Sequence, residues 1–227
     1  MAYKKYFTMS YDDAHPNDRR FVEILNYYGI KCTFNINSCM LPQHFNPEDR
    51  VSYDEMRELY KGHEVAAHGA HHGRYNLMSK EEIYHDIVDD INTLSDAIGY
   101  RVKGFAYPYG TYDDYCVDIL RQNGIVYSRT VNSLGGFEVP KKPLEATPTC
   151  HHSWELLPQR IEELIHAEPT EDDMLLYVWG HSFEFSFNED RNSWEWIEKI
   201  CKMVSGHDDI NYVTNLQFFE RNNSFSK

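Results

Sequence analysis

The chain has 227 residues, of which 41% are hydrophobic and 26% charged, and its formal net charge at pH 7 is −14. This length and composition are those of a globular protein, and we predict one catalytic domain over residues 1–227. An acidic surface of this kind argues against a nucleic acid or an anionic membrane as partner, because phosphate contacts need clustered Lys and Arg.

Short apolar or β-branched runs alternate along the chain with polar stretches of helical periodicity. The predicted strands lie at residues 5–10, 31–35, 64–67, 104–107, 125–130, 145–149, 175–179 and 211–213. The predicted helices lie near residues 17–28, 53–61, 79–98, 113–123, 154–167, 192–204 and 214–220. Ser79, with Glu82 three residues later, is a helix-capping pattern, and Gly99 is typical of a helix end. We predict a distorted parallel (β/α)7–8 barrel, with an open doubly wound sheet as the alternative.

The N-terminal residues and the cysteines bear on the compartment. Residues 1–7 run into a strand-like segment without an apolar stretch of signal-peptide length, and no later window has the length of a membrane span. The cysteines are odd in number, dispersed and without a CxxC pair: Cys32, Cys39, Cys116, Cys150 and Cys201. Because this pattern favours reduced thiols over a disulfide framework, we expect a cytoplasmic protein.

Side chains suited to catalysis follow the predicted strands at their carboxyl ends. In chain order they are Asp12 and Asp13 after the first strand, His68 after the third, Tyr107 and Tyr109 at the fourth, Arg129 at the fifth, His151 and His152 after the sixth, and His181 after the seventh. The carboxyl ends of parallel barrel strands meet at one rim. We therefore predict a site at that rim.

His68 and His72 are four residues apart, a spacing that places both imidazoles on one side of a helical turn. Such pairs also occur without a metal. A carboxylate from Asp12 or Asp13 would complete a His/His/Asp set with open positions, although two acids after a strand can instead cap the next helix. His71 would point away from this set. The ligand types favour one Zn²⁺ ion, with Co²⁺, Ni²⁺, Fe²⁺ and Mn²⁺ also compatible.

Four segments resemble the signatures of the polysaccharide deacetylase superfamily (NodB homology, carbohydrate esterase family 4). Residues 7–14 resemble the first signature, T-F-D-D-G, and residues 62–83 the second, with its Gly-His-Glu lead and paired histidines. Residues 103–110 are similar to the third, R-x-P-Y-G, and residues 175–181 to the last, an apolar strand ending in a histidine. The four segments follow one another in the order that the family shows.

The resemblance implies roles for the matching residues. They are Asp12 as general base, Asp13, His68 and His72 as metal ligands, His181 as the general acid that protonates the leaving amine, and the backbone N–H of Tyr109 as an oxyanion donor. These roles are chemically coherent. A divalent ion polarises a poorly electrophilic amide, and an amine leaves readily only when it is protonated.

The chain departs from the family pattern at three places. Ala106 stands where the third signature has an Arg that braces the base, and the Asp-Trp pair that supports this Arg has no counterpart. We predict that Arg129 braces Asp12 instead; the alternative is an ordinary surface or substrate-binding Arg. Gly69 replaces the usual Ser or Thr, so other residues would have to steady the metal loop.

Five residues are predicted to contact the substrate or the oxyanion. They are Tyr107, Tyr109, Arg129, His152 and Trp179. A compact apolar pocket built from Tyr107, Trp154 and Trp179 would suit a non-sugar substrate such as a cyclic ureide. His151 or His152 would line the substrate pocket, with an extra metal ligand or a structural histidine as the alternatives. Glu184, three residues past His181, would either orient that imidazole or be solvated.

We therefore predict a metal-dependent hydrolase that removes an acetyl or similar acyl group from an N-acylated sugar or a small amide. The substrate would be a small molecule or an oligosaccharide, and O-deacetylation would use the same chemistry. One alternative is hydrolysis of a non-sugar C–N bond of the cyclic amide or ureide type. The other is a catalytically silent carbohydrate-binding relic.

Overall fold

The computed structural model describes residues 4–168 and 172–223, and eight strands of these residues form one sheet. The strands are β1 (Lys5–Asp12), β2 (Cys32–Ile36), β3 (Glu64–Ala67), β4 (Gly104–Ala106), β5 (Tyr127–Arg129), β6 (Cys150–His151), β7 (Met174–His181) and β8 (Ile210–Tyr212). The helices are α1 (Asp18–Tyr27), α2 (Tyr53–Leu59), α3 (Lys80–Ile98), α4 (Asp114–Gln122), α5 (Leu157–His166), α6 (Trp194–Val204) and α7 (Asn215–Asn223).

The strands are ordered β5-β4-β3-β2-β1-β7-β6, and β8 pairs with the first half of β1. All pairings between these strands are parallel. The sheet curls into a half-barrel with helices packed against the strands, so the predicted distorted (β/α)7–8 barrel is confirmed. All eight residues of β1 are buried, as expected for the central strand of a parallel sheet.

One segment contacts both ends of the curled sheet. Ala146 exchanges backbone hydrogen bonds with the β5 region, and the N–H of Thr149 donates to Tyr177 of β7 at 2.8 Å. The sixth strand begins only at Cys150, so its predicted position at residues 145–149 is wrong. The physical reason is Pro148, which has no N–H to donate to a strand ladder.

The longest helix illustrates how local sequence sets the elements. The hydroxyl of Ser79 accepts from the Glu82 N–H while the Glu82 side chain reaches back, and α3 ends at Gly99 with φ of 80°. Both capping predictions are therefore confirmed. The apolar stripe of α3 is buried, which fixes the helix beside β3 and α4 and beneath the loop that follows β3.

The structure also bears on the cysteines and on membrane insertion. All five cysteines are free thiols, as their spacing predicted. None of the helices in residues 4–168 and 172–223 combines the length and the apolar character needed to cross a bilayer.

Candidate active site

Two adjacent carboxylates leave the end of β1 in different directions. Asp12 is the last residue of the strand and is buried, whereas Asp13 and Ala14 take positive φ values of 81° and 49°. Residues other than glycine rarely adopt this region, and such strain is characteristic of functional sites. The turn directs the Asp13 side chain toward the loop after β3, and Asp12 stays inside the curled sheet.

Asp13, His68 and His72 form a group with the spacing of metal ligands. Oδ1 of Asp13 lies 3.7 Å from Nε2 of His72 and 4.0 Å from Nε2 of His68, and the three ligand atoms lie within 4.8 Å of one another. Zinc bonds to imidazole nitrogen and carboxylate oxygen are about 2.0–2.2 Å long. One divalent ion can therefore contact all three side chains, so the donor types and their spacing fit a metal.

The hydrogen bond behind His68 supports the same interpretation. Nδ1 of His68 lies 2.7 Å from the carbonyl oxygen of Ala106, which can only accept, so Nδ1 carries the proton. The lone pair is then on Nε2, which faces Asp13. A backbone carbonyl that fixes the tautomer in this way is the usual support of a metal-binding histidine.

The two histidines are brought together by a turn rather than by the predicted helical turn. Gly69 has φ of 72° and His72 has φ of 55°, and the imidazole centroids of His68 and His72 are 4.8 Å apart. Residues with a positive φ reverse the direction of the chain within four positions, which a helical turn would not do. The spacing thus correctly predicted that the two imidazoles lie close together, but the helical turn predicted to hold them is not formed.

Asp86 of α3 steadies this loop in place of a side chain at position 69. Its Oδ1 accepts the His71 N–H at 2.7 Å and its Oδ2 accepts the Tyr75 hydroxyl at 3.1 Å. The side chain of His71 is 71% exposed and lies outside the group formed by Asp13, His68 and His72. A Cβ on Gly69 would lie 2.5 Å from Oδ2 of Asp86, so the loop has room only for glycine here.

Asp12 is held by two buried side chains. Nη2 of Arg129 lies 2.7 Å and 2.5 Å from its two oxygens, and Nδ2 of Asn35 donates to Oδ1 at 2.7 Å. Burial would raise the pKa of Asp12, but the charge of Arg129 and its hydrogen bond outweigh the effect of burial and lower the pKa to about 2. Asn35 was not among the predicted site residues, and its signal in the sequence is a polar amide near the end of a buried strand.

His181 ends β7 beside the same carboxylate. Its Nε2 lies 3.9 Å from Oδ2 of Asp12, and its Nδ1 lies 3.3 Å from Oε2 of Glu184. Burial would lower the pKa of His181, but the hydrogen bond to Glu184 and the charge of Asp12 raise it. The proposed base, metal ligands and acid therefore meet at one rim of the sheet.

A model of the polysaccharide deacetylase family matches residues 2–128, which contain the β1 carboxylates, the paired histidines and the Tyr-Pro-Tyr-Gly turn. The chain belongs to the polysaccharide deacetylase family. The resemblance drawn from the four sequence signatures is thereby confirmed.

Solved structures share the fold of this polysaccharide deacetylase family member at low sequence identity. A putative polysaccharide deacetylase from Mycobacterium smegmatis has a TM-score of 0.70 at 15% identity, covering 98% of this chain and 92% of that one. The deacetylase PplD of Streptococcus pyogenes has a TM-score of 0.50 at 20% identity over 55% of each chain. BA3943 of Bacillus anthracis, described as a pseudoenzyme, has a TM-score of 0.56 at 18% identity, covering 88% of this chain and 60% of that one. No curated protein sequence matches the chain.

Tyr109, whose backbone N–H is the predicted oxyanion donor, lies in the turn after β4. The turn spans Pro108–Gly110, and Tyr109 has φ of 55° and ψ of 10°. Its ring is 46% exposed and lies 4.4 Å from the ring of His72, with the guanidinium of Arg74 on it at 3.8 Å. The backbone of Tyr109 is therefore held next to the group formed by Asp13, His68 and His72.

Two residues predicted to contact substrate are placed elsewhere. Tyr107 is fully buried and its hydroxyl donates to the carbonyl of Leu144 at 2.8 Å, so it supports the fold. His152 is also fully buried, in parallel contact with Tyr11. The pattern of strand ends indicated which side of the sheet these residues occupy, but it did not show how deep each ring lies.

Trp179 and Trp154 both lie near His151. The ring of Trp179 contacts His151 at 4.8 Å between centroids and has the Arg129 guanidinium over its face at 4.7 Å. Trp154 lines a cavity of about 510 Å³ together with Ser133, Leu134, Gly135, Thr149, Cys150, His151 and Ser153. The predicted joint pocket of Tyr107, Trp154 and Trp179 is therefore not formed as a unit.

Proposed function

We propose that the chain is a metal-dependent hydrolase that removes an acetyl or similar acyl group from an N-acylated sugar or a small amide. Membership of the polysaccharide deacetylase family supports deacetylation as the class of reaction. The observation that carries the proposal is the convergence of Asp13, His68 and His72 within ligand distance. The carboxylate of Asp12 and the imidazole of His181 lie immediately beside that group.

In this proposal Asp13, His68 and His72 would hold a divalent cation, with Zn²⁺ as the best match to the ligand types. Such a cation, when bound, polarises an acyl carbonyl and makes water more acidic. The neighbouring hydrogen bonds fit this use, since Ala106 leaves Nε2 of His68 available as a ligand.

The remaining residues would divide the proton transfers between them. Asp12, kept ionised by Arg129, would accept a proton from the attacking water. His181 would give the proton on Nε2 to the leaving nitrogen as the C–N bond breaks. The N–H of Tyr109 would donate to the oxyanion that forms on the carbonyl oxygen.

The substrate proposed is a small molecule or an oligosaccharide. The net charge of −14 disfavours polyanions, and the exposed rings of Tyr109 and Tyr112 offer apolar faces suited to sugar rings. Hydrolysis of a cyclic amide or ureide remains the second candidate, because it would use the same ligands, base and acid.

Acetate release from a panel of N-acetylated sugars, O-acetylated sugars and small amides, each with Zn²⁺, Co²⁺ or Mn²⁺, tests the proposal. We expect metal-dependent turnover that falls at least about 100-fold in Asp12→Asn. Asp208→Asn, the same change at an exposed site, should retain the full rate. Sugar binding without turnover at any metal would instead identify a relic, and ureide cleavage without acetate release would favour the second candidate.

A further inference from the structure

A second group of potential metal ligands lies beside His181. Nε2 of His151 is 3.0 Å and Nε2 of His152 is 3.6 Å from Oε2 of Glu184. By distance alone this cluster resembles the group formed by Asp13, His68 and His72. The positions of the imidazole protons, which follow from the hydrogen-bond partners, separate the two groups.

His151 presents a proton, not a lone pair, to Glu184. Its Nδ1 accepts the backbone N–H of Ser153 at 3.3 Å and lies 2.8 Å from the Ser153 hydroxyl. A backbone N–H can only donate, so Nδ1 holds the lone pair of the neutral ring. The ring proton is then on Nε2, which points at Oε2 of Glu184.

His152 has the same orientation of its proton. Its Nε2 lies 3.1 Å from Oδ1 of Asn192, an acceptor, and its Nδ1 is without a partner among the described residues. Burial lowers the pKa of His152 to about 3, so the ring is neutral. A metal on Nε2 would move the proton to Nδ1, which packs against Gly180 and finds no acceptor there. His68 differs, because the Ala106 carbonyl accepts its Nδ1 proton.

His181 uses the same carboxylate oxygen. Oε2 of Glu184 accepts the backbone N–H of His181 at 3.1 Å and lies 3.3 Å from its Nδ1. Burial would raise the pKa of Glu184, but hydrogen bonds from His151 and His181 hold it well below its ordinary value. An ionised carboxylate only accepts, so Nδ1 of His181 carries a proton and Nε2 faces Asp12.

We propose that Glu184 is a positioning residue for the general acid, that the His151 N–H fixes the Glu184 carboxylate, and that this cluster binds no metal. The inference rests on the proposed deacetylase function. Proton transfer from Nε2 of His181 to the leaving nitrogen accompanies cleavage of the C–N bond, and the Nδ1 proton remains on the ring, hydrogen-bonded to Glu184. Glu184 keeps the imidazole in the tautomer and orientation that this step needs.

Leaving-group dependence tests the role of Glu184. In Glu184→Gln, kcat for an N-acetyl amide should fall about 100-fold, because its amine must be protonated to leave. Hydrolysis of an aryl acetate, whose phenolate leaves without a proton, should change less than about threefold. Glu189→Gln, the same change at an exposed carboxylate on the same loop, should alter neither rate. Equal losses on both substrates, or no loss on either, would overturn the inference.

Two further measurements test the inference without an activity assay. In the zinc-loaded protein, ¹⁵N NMR at a pH where His181 is neutral should show the Nδ1–H tautomer, and Glu184→Gln should shift it toward Nε2–H. Metal analysis should find one zinc per chain in both the wild type and His151→Ala. An Nε2–H tautomer in the wild type, or a second zinc lost in His151→Ala, would contradict the proposal. A wild type that hydrolyses neither substrate would count against the deacetylase function, whereas the tautomer and zinc count would still decide the cluster.

Discussion

Nη2 of Arg129 lies 2.7 Å and 2.5 Å from the two carboxylate oxygens of Asp12, and both side chains are buried. Arg129 ends β5 and Asp12 ends β1, and β4, β3 and β2 lie between these strands in the sheet. The contact crosses the interior of the curled sheet instead of running along it. It is therefore a consequence of curling, which brings strands that are distant in the sheet order to face each other.

Arg129 also stands beside the position at which the third family signature has its Arg. In the pairing of β4 with β5, Ala106 is the direct partner of Arg129, and its side chain is fully buried. Side chains of paired residues in parallel strands share one face of the sheet. The small Ala106 thus leaves space for an arginine from the neighbouring strand to reach the same carboxylate.

We predict that Arg129→Met reduces deacetylation at least about 100-fold and destabilises the fold by about 3–5 kcal/mol. Removing one partner of a buried ion pair leaves the other charge without compensation. Urea unfolding and acetate release measure the two effects. Arg121→Met is the control, because its side chain is exposed and its ion pair should contribute less than about 1 kcal/mol.

The double variant Ala106→Arg with Arg129→Ala tests whether the two positions are interchangeable. We expect it to recover at least about tenfold of the activity lost in Arg129→Ala, because an arginine at position 106 starts from the same face and register. Activity no higher than that of Arg129→Ala would show that the base needs its brace from β5 alone.

The effect of substitution on Zn²⁺ binding should differ between the neighbouring residues His71 and His72. His72→Ala removes a proposed ligand and should abolish stoichiometric Zn²⁺ binding in calorimetry, whereas His71→Ala should bind Zn²⁺ as the wild type does. A chelator should lower the Tm of the wild type, because a metal present at 100 times its Kd stabilises the fold by about 2.7 kcal/mol. Equal zinc affinity in both variants would contradict the assigned ligand set.

The family's usual residue at position 69 should be harmful in this chain. Gly69→Ser would place Cβ 2.5 Å from Oδ2 of Asp86 and 2.6 Å from the Tyr75 hydroxyl, at a φ of 72°. We expect destabilisation of about 1–3 kcal/mol and weaker zinc binding, measured by thermal unfolding and titration. Gly124→Ser has a similar φ of 78° with nothing within 4 Å, so the difference between the two variants isolates the steric contact.

Asp18 should make stability depend on pH. Burial raises its pKa to about 7, although the hydroxyls of Ser182 and Tyr60 partly offset this by donating to it. The folded protein keeps this proton up to about pH 7, whereas the unfolded chain releases it near pH 3.9. The folded state thus binds more protons between these values, and its stability decreases as pH rises through that window, on the order of a few kcal/mol.

Urea unfolding at pH 5 and pH 8 measures this effect. Asp18→Asn cannot ionise, so it should lose less stability than the wild type between the two pH values. Asp208→Asn, at an exposed position, should keep the wild-type difference. If Asp18→Asn shows the same loss as the wild type, another group is responsible for the dependence.

The position of the sixth strand shows where local pattern was insufficient. Residues 145–149 have a strand-like composition, but Pro143–Glu145 form a 3-10 turn and regular pairing starts at Cys150. Pairing at this point depends on hydrogen bonds to β5 and β7, which lie far away in sequence. Local propensity cannot specify such contacts, because a strand is stabilised by the neighbours it meets after folding.

The sequence by itself determined the alternation of strands and helices and the side of the sheet on which Asp12, Asp13, His68 and His181 lie. These features depend on local periodicity and on the direction of each strand, both of which are encoded in short segments. Only the tertiary structure decided that Arg129 reaches Asp12, that Glu184 accepts hydrogen bonds from three N–H groups, and that His152 is buried. The contact of Glu184 with His181 is local, since the two residues are three positions apart. The contacts of Arg129 with Asp12 and of His151 with Glu184, and the burial of His152, depend on how distant segments pack, and spacing along the chain carries no information about them.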